Sequence, residues 1–425
     1  MTAPAPAAPA AAGGDSFPRW AVIIAAGMVA SNLALPEALN LPIVNLLRTE
    51  LKLGRDEVSL FMTLAALPWY FKIFAGLLSD SFPLLGTHRR HYLIFGGTLA
   101  AAGWLLVGAM PHAYWPLLFA LMATNAMLVF VSTVTAALMV EAGKRLGAEG
   151  RLVTVRIIME SACSVVAGPI AGHLAAQPFG WTGIAGALIA MIVVPAALFV
   201  LREPPVRQHD ISALREAGMK LREALGSGSL WRAALFLMLA IAPQTFSSSL
   251  YFHQIEELRF ANIDIGYLNS FAALAEVATG VAYAVIRPRL SLRTLLAAGL
   301  LFGAIGTGSF MFYRSWEAAL AIEILRGTLN TVGVLALMET AVRATPVGIA
   351  AMGIALLLSA WNIGIAIGDY AGAWIVQHKI LGFYGLATLY GLLSAMTLLA
   401  LPLLPRSVFG EPSPDPNIDA SGNAH

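Results

Sequence analysis

Ionisable residues interrupt otherwise apolar stretches at Glu37, Lys72, Arg156, Glu160, Glu276, Glu323, Arg326 and Asp369. Charges are costly inside a lipid-solvated segment, so each is a functional candidate. Arg156 and Glu160 stand at i and i+4, and Glu323 and Arg326 at i and i+3, which places each pair on one helix face. Each pair reads either as an internal ion pair that neutralises itself or as a substrate group facing a cavity. Two such pairs in opposite halves of the chain suit a molecule carrying both carboxylate and basic ring groups. They could equally lock the halves by exchanging partners. Glu37 lies between Pro36 and Pro42, with Asn40 and Asn45 nearby. Proline frees backbone groups, which is tolerated at membrane depth where the break lines a cavity, so Glu37 reads as a cavity residue or an outer-mouth residue.

Glu276 and Asp369 have no basic neighbour in sequence. A lone carboxylate in an apolar span can exchange protons near neutral pH, which suits proton coupling; the alternative is a hydrogen bond to a neighbouring helix. Asp369 also lies in the stripe Gly364, Gly368, Gly372, where close helix packing is the stronger reading. Tyr251, Phe252, Tyr267, Phe271, Trp361 and Tyr370 offer rings for stacking on a flat solute, although aromatic residues in helices more often face lipid or core. The expected substrate set is Arg156, Glu160, Glu323, Arg326, Glu37, Tyr251 and Trp361. The expected proton-coupling set is Glu276, Asp369 and Glu37.

Hydrophobic residues make up 58% of the 425 positions and charged residues 12%, with a mean hydropathy of +0.75. Soluble domains are about 45–50% apolar and about 25% charged, so this chain needs lipid as solvent. The formal net charge of +2 says little about partners. Cys163 is the single cysteine, which excludes an internal disulfide framework and a multi-cysteine zinc site. There is no His-Glu-x-x-His and no phosphate-binding loop. The chain therefore reads as no enzyme, with no cofactor, no metal site and no nucleic-acid partner.

Apolar runs of about 20 residues mark spans, and twelve are expected, the first two over 20–47 and 57–78. They divide the chain into a tail at 1–19, a six-helix bundle at 20–201, a linker at 202–230, a second six-helix bundle at 231–404 and a tail at 405–425. Both tails read as disordered. Within the linker, the apolar spacing of Ile211, Leu214, Met219, Leu221 and Leu225 among charges predicts an amphipathic helix on the inner leaflet or a solvated one. One alternate set of segments carries 17 cations: Arg19, Arg89, Arg90, Lys144, Arg145, Arg151, Arg202, Arg207, Arg215, Lys220, Arg222, Arg232, Arg287, Arg289, Arg293, Arg343 and Arg406. The other set carries six: Arg48, Lys52, Arg55, Arg259, Arg314 and Lys379. The richer set is expected to mark the inner side and to put both termini there.

The hairpin from Pro68 to Tyr92 has a polar, cationic tip. Within it, Gly76-Leu77-Leu78-Ser79-Asp80, Gly86, Arg89 and Arg90 resemble the loop between helices 2 and 3 of the major facilitator superfamily. The longer pattern, Pro68-Trp69, Lys72, Gly76, Ser79-Asp80, Pro83, Gly86, Arg89-Arg90 and Tyr92-Leu93, is similar to the folate-biopterin transporter family. The resemblance implies an all-α fold of two six-helix bundles and alternating access. It also implies a folate or pterin solute moved with protons, and gating by Lys72, Asp80, Arg89 and Arg90. Gly168-Pro169-Ile170-Ala171-Gly172 looks like part of a motif associated with antiporters, but Ser164 and His173 replace its flanking glycines, so no antiport is inferred. The expectation is a monomeric secondary transporter in a bacterial cytoplasmic membrane, its partners a small solute, protons and lipid. The alternatives are a siderophore or muropeptide permease and, in a different class, a non-transporting assembly factor on the same fold.

Overall fold

A computed structural model describes residues 16–82, 84–87, 89–203, 211–345, 350–404 and 406–409. Their regular structure is helical, apart from one isolated bridge between Leu84 and Thr87. The N-terminal half holds α1 (Phe17–Leu33), α2 (Asn40–Thr49), α3 (Arg55–Ala65), α4 (Leu67–Tyr70), α5 (Lys72–Ser81), α6 (Arg90–Ala109), α7 (Tyr114–Leu146), α8 (Glu149–Ala175), α9 (Gly180–Met191) and α10 (Val193–Pro195). A linker helix, α11 (Ile211–Gly226), follows. The C-terminal half holds α12 (Gly228–Ile241), α13 (Ser247–Phe252), α14 (Asn262–Ile286), α15 (Leu292–Gly308), α16 (Trp316–Ala344), α17 (Ala350–Gln377) and α18 (Phe383–Met396).

Among the described residues ten helical segments are long and apolar enough to cross a membrane. They coincide with the third to twelfth expected spans. The first two expected spans are assembled from shorter pieces instead. Residues 20–47 divide into α1 and α2 around the turn that contains Pro36, and 57–78 divides into α3, α4 and α5, with Pro68 in the first turn of α4. Proline lacks the amide hydrogen that would continue the ladder, and its ring clashes with the preceding turn.

The two halves repeat one packing plan. In the first, α6 packs on α7 and α9, and α1 crosses α7, α8 and α9; in the second, α15 packs on α16 and α18, and α14 packs on α16. Each half buries its own core, with Phe61, Trp104 and Leu117 in one and Phe236, Leu296 and Leu337 in the other. The halves meet where α8 lies on α14 and α3 lies on α17. At the first seam the backbones touch: a Cβ on Gly168 would stand 2.1 Å from the Gly266 carbonyl oxygen. Gly368 is equally pinched, its Cβ position lying 1.9 Å from the Ala242 oxygen. The packing role expected for that glycine stripe is thus physically met at Gly368.

Three boundaries differ from expectation. Helix α1 begins at Phe17, inside the expected N-terminal tail, while 1–15 lie outside the described residues. At the other end Arg406–Phe409 forms a short helical turn that buries Val408 in the C-terminal core, and 410–425 lie outside the described residues. Helix α11 spans the expected linker and rests against α5 and α17, with Ala224 fully buried and Met219 and Leu225 exposed. The side chains of 211–217 and of Lys220 lie outside the described set.

Candidate functional site

Three helix interruptions converge on one cavity of about 350 Å³ between the halves. The first interruption supplies Glu37 and Asn40, the second Ala66 and Tyr70, and the third Gln244 to Ser248. The third break follows from Pro243, which opens a 3-10 turn over Ala242–Gln244 between α12 and α13. Backbone groups released in an apolar medium must find new partners, and side chains supply them. Trp104 Nε1 donates to the Ala34 oxygen at 2.8 Å, Asn125 Nδ2 to the Ala65 oxygen at 3.0 Å, and Ser359 Oγ to the Tyr70 oxygen at 2.9 Å. Gln244 Nε2 donates to the Ala240 oxygen at 2.7 Å.

The N-terminal wall is organised by Asn125, which is fully buried on α7. Its Oδ1 accepts from Trp69 Nε1 at 2.8 Å, and its Nδ2 donates to Glu37 Oε1 at 3.0 Å. Glu37 itself is exposed to the cavity. The C-terminal wall is ionic. Arg326 Nε donates to Glu323 Oε2 at 3.0 Å, and Arg326 Nη1 lies 3.9 Å from Glu276 Oε1. Glu323 is 1% exposed and also accepts from the Tyr313 hydroxyl at 3.4 Å, while Gln254 Nε2 donates to that hydroxyl at 2.7 Å. One guanidinium therefore stands between two carboxylates at the cavity wall.

At one end of the cavity the halves are tied together. Asp369 accepts from Ser59 Oγ at 2.6 Å, from Ser248 Oγ at 2.6 Å and from the Ser248 amide at 2.8 Å. Arg55 reaches Glu256 at 3.2 Å and Glu257 at 3.7 Å, and its amide donates to Gln377 Oε1 at 3.3 Å. His253 Nδ1 lies 2.8 Å from Glu257, and its ring stacks on Phe383 with centroids 4.0 Å apart. The tight α8–α14 contact at Gly168 and Gly172 belongs to the same end. These contacts shut this end of the cavity, the end that the loop charges are expected to mark as the outer one.

Glu37, Tyr251, Glu323, Arg326 and Asp369 all line the cavity, and Glu276 adjoins it through Arg326. Other expected site residues lie elsewhere. Trp361 packs against the C-terminal core and is no cavity residue, because its position on α17 turns it toward α12 and its neighbours. Arg156 and Glu160 do pair, at 3.7 Å, but they are 41% and 51% exposed and do not line the cavity. Tyr251 is 6% exposed and commits its hydroxyl to Asn262 at 3.0 Å.

Of the expected gating group, Arg89 donates to Glu141 at 2.8 Å and to Ser79 Oγ at 2.9 Å. The Arg89 and Arg90 amides both donate to Glu203, which caps α6, and Arg90 reaches the Ala197 and Leu198 carbonyls. Asp80 lies in α5, but its side chain is outside the described set. Lys72 stands apart from this loop network: it donates to Ser132 Oγ at 2.9 Å, and its Nζ lies 4.6 Å over the Trp69 ring. Sequence reasoning passed over Asn125, Ser59, Ser248, Gln254 and Tyr313. Asn125 carried a readable signal, an amide in the middle of an apolar span, whereas the hydroxyl residues carried none.

A model of the BT1 family matches residues 38–406. The chain is similar to a folate-biopterin transporter from Synechocystis sp., 24% identical over 387 residues that cover 86% of this chain and 77% of that one. It is also similar to folate transporter 1 of Plasmodium falciparum, 20% identical over 60% of this chain and 51% of that one. Among solved structures, a D-xylose–proton symporter matches with a TM-score of 0.70 and 13% identity over 93% of this chain and 99% of that one. A POT family transporter in complex with 5-aminolevulinic acid gives 0.72 and 11% identity over 92% and 98%. At those identities the likeness establishes the fold.

Proposed function

The chain belongs to the BT1 family and is a multi-pass membrane transporter, not an enzyme, and on that premise we propose that it moves a small folate- or pterin-like solute by alternating access, coupled to protons. The observation that carries the reading is Arg326, poised between Glu323 and Glu276 on one wall and facing a cavity whose other wall presents Glu37. A cavity of about 350 Å³ lies within the usual range for small-molecule sites, roughly 300–1,000 Å³. Its place at helix breaks between two repeated halves suits a binding site around which those halves rock.

In this reading the empty cavity keeps Arg326 neutralised by its carboxylates. An arriving anionic group competes for the fork-shaped donors of the guanidinium. A carboxylate displaced from Arg326 then takes a proton, because an unpaired charge is disfavoured at that depth. Glu276, the looser of the two partners at 3.9 Å, is the residue assigned that proton. Glu37 is the second candidate, whereas Asp369, which accepts three hydrogen bonds, serves the outer latch. The loop charges support placement in a cytoplasmic membrane with both termini inside.

The test is uptake of labelled folate and tetrahydrobiopterin into proteoliposomes. Uptake should rise with an inward proton gradient and collapse with a protonophore. Uptake that follows only a sodium gradient, or only solute exchange, overturns the proton coupling. A protein that moves neither ligand but does move a siderophore or a muropeptide overturns the solute assignment.

A further inference from the structure

Lys72 lies within an apolar segment, and its partners among the described residues are all neutral. Arg156 has Glu160 at 3.7 Å, Arg326 has Glu323 at 3.0 Å, and Arg89 at the loop end has Glu141 at 2.8 Å. Lys72 has the Ser132 hydroxyl at 2.9 Å and the face of Trp69 at 4.6 Å. Arg156 and Glu160 pair with each other at 3.7 Å. Among the described residues the Lys72 ammonium is therefore the source of a positive field without an ionic partner. A cation within a span calls for a counter-charge, because lipid supplies no water to screen it.

The position of Lys72 connects that field to the cavity. Lys72 opens α5 two residues after Tyr70, which lines the cavity. The ring beneath its ammonium is held by Asn125, and Asn125 is held by Glu37 on the cavity wall. Ser132 accepts from Lys72, so its own O–H is free to donate. An ammonium, a hydroxyl donor and a nearby guanidinium make a set of donors for a carboxylate, which needs to bring only acceptor oxygens.

We infer that Lys72 is an anion anchor in the N-terminal half, holding a carboxylate of a solute whose ring lies in the central cavity. The inference rests on the transporter reading above and refines its solute: the site selects pterins that carry a carboxylate tail over pterins that carry none. Arg326 and Lys72 then hold the solute from opposite halves, so that release from one of them accompanies the rocking of the halves.

The experiment measures equilibrium binding of folate, which carries two carboxylates, and of tetrahydrobiopterin, which carries none, to the purified full-length protein. Lys72→Gln should lower the ratio of folate affinity to tetrahydrobiopterin affinity roughly ten- to hundredfold, the loss expected for one charge-assisted hydrogen bond. Lys72→Arg should keep the ratio within a few-fold of wild type. An unchanged ratio in Lys72→Gln overturns the anchor and leaves the pterin reading standing. A wild type that binds neither ligand but binds another dicarboxylate, with that binding lost in Lys72→Gln, overturns the pterin reading and leaves the anchor standing.

Discussion

The two halves close their loop ends with the same ion pair yet furnish the cavity in different ways. Arg89 and Glu141 are separated by 52 residues, and so are Arg287 and Glu339. Both pairs join the end of a hairpin to the following long helix. Counting back the same 16 residues from each glutamate gives Asn125 in the first half and Glu323 in the second. Equivalent positions thus hold a neutral amide on one wall and a carboxylate on the other. Asn125 is satisfied by Trp69, Glu37 and the Ala65 carbonyl, all within its own half, and it fixes a helix break. Glu323 instead holds a guanidinium at the cavity wall. The repeat keeps the ion pair at the loop ends and diverges at the cavity wall.

The largest effect should come from the charged wall. Arg326→Gln leaves Glu323 and Glu276 facing the cavity without a counter-ion, so uptake of an anionic solute should fall roughly a hundredfold or more. Labelled-solute uptake into proteoliposomes, with binding measured in parallel, reads this directly. Retention of uptake within a few-fold would mean that the two walls do not differ in function.

The seam between the halves comes next. Asp369→Asn weakens the bonds from Ser59 and Ser248, each charge-assisted. The ratio of outward-open to outward-closed protein should rise roughly tenfold. Spin labels at Lys52 and Lys379, both exposed and in opposite halves, would report it as a longer distance population. An unchanged distribution would leave Arg55 and the α8–α14 contact as the true latch.

A smaller effect tests the shared clamp. Arg89→Gln and Arg287→Gln should each slow transport several-fold while leaving solute affinity within a few-fold, because both act at the loop ends and neither lines the cavity. Asp80→Asn should behave likewise. Comparable slowing by both arginine variants would sharpen the comparison; slowing by only one would break it. The smallest change is expected for Trp361→Phe. Its ring packs in the C-terminal core, so solute affinity should stay within about twofold and the cost should show as a lowered Tm.

Much of the fold was legible because lipid imposes a simple rule on sequence. Ten of the apolar runs form helical segments long enough to cross a membrane, one of them interrupted at Pro243, since a backbone in lipid must satisfy its own hydrogen bonds. Pro36 marked a break in the first run, but Pro68 gave no warning that α4 would separate as a single turn between two longer pieces of the second. The pairing of Glu323 with Arg326 followed from spacing along one helix. The third member, Glu276, lies on α14, and no sequence spacing could bring it within 3.9 Å of Arg326.

By itself, the sequence determined the solvent, the helical class, the order of the spans and the short-range ion pairs. All of these depend on local composition or on neighbours within a turn. The tertiary structure decided which charges share a cavity. It set Glu37 and Arg326 on facing walls, turned Trp361 into the core, gave Asp369 three donors from two other helices, and left Lys72 among neutral partners. The reason is geometric. A helix face is fixed by sequence period, but which face meets which neighbour depends on how the helices cross, and close approaches such as that of Gly168 to Gly266 set those crossings.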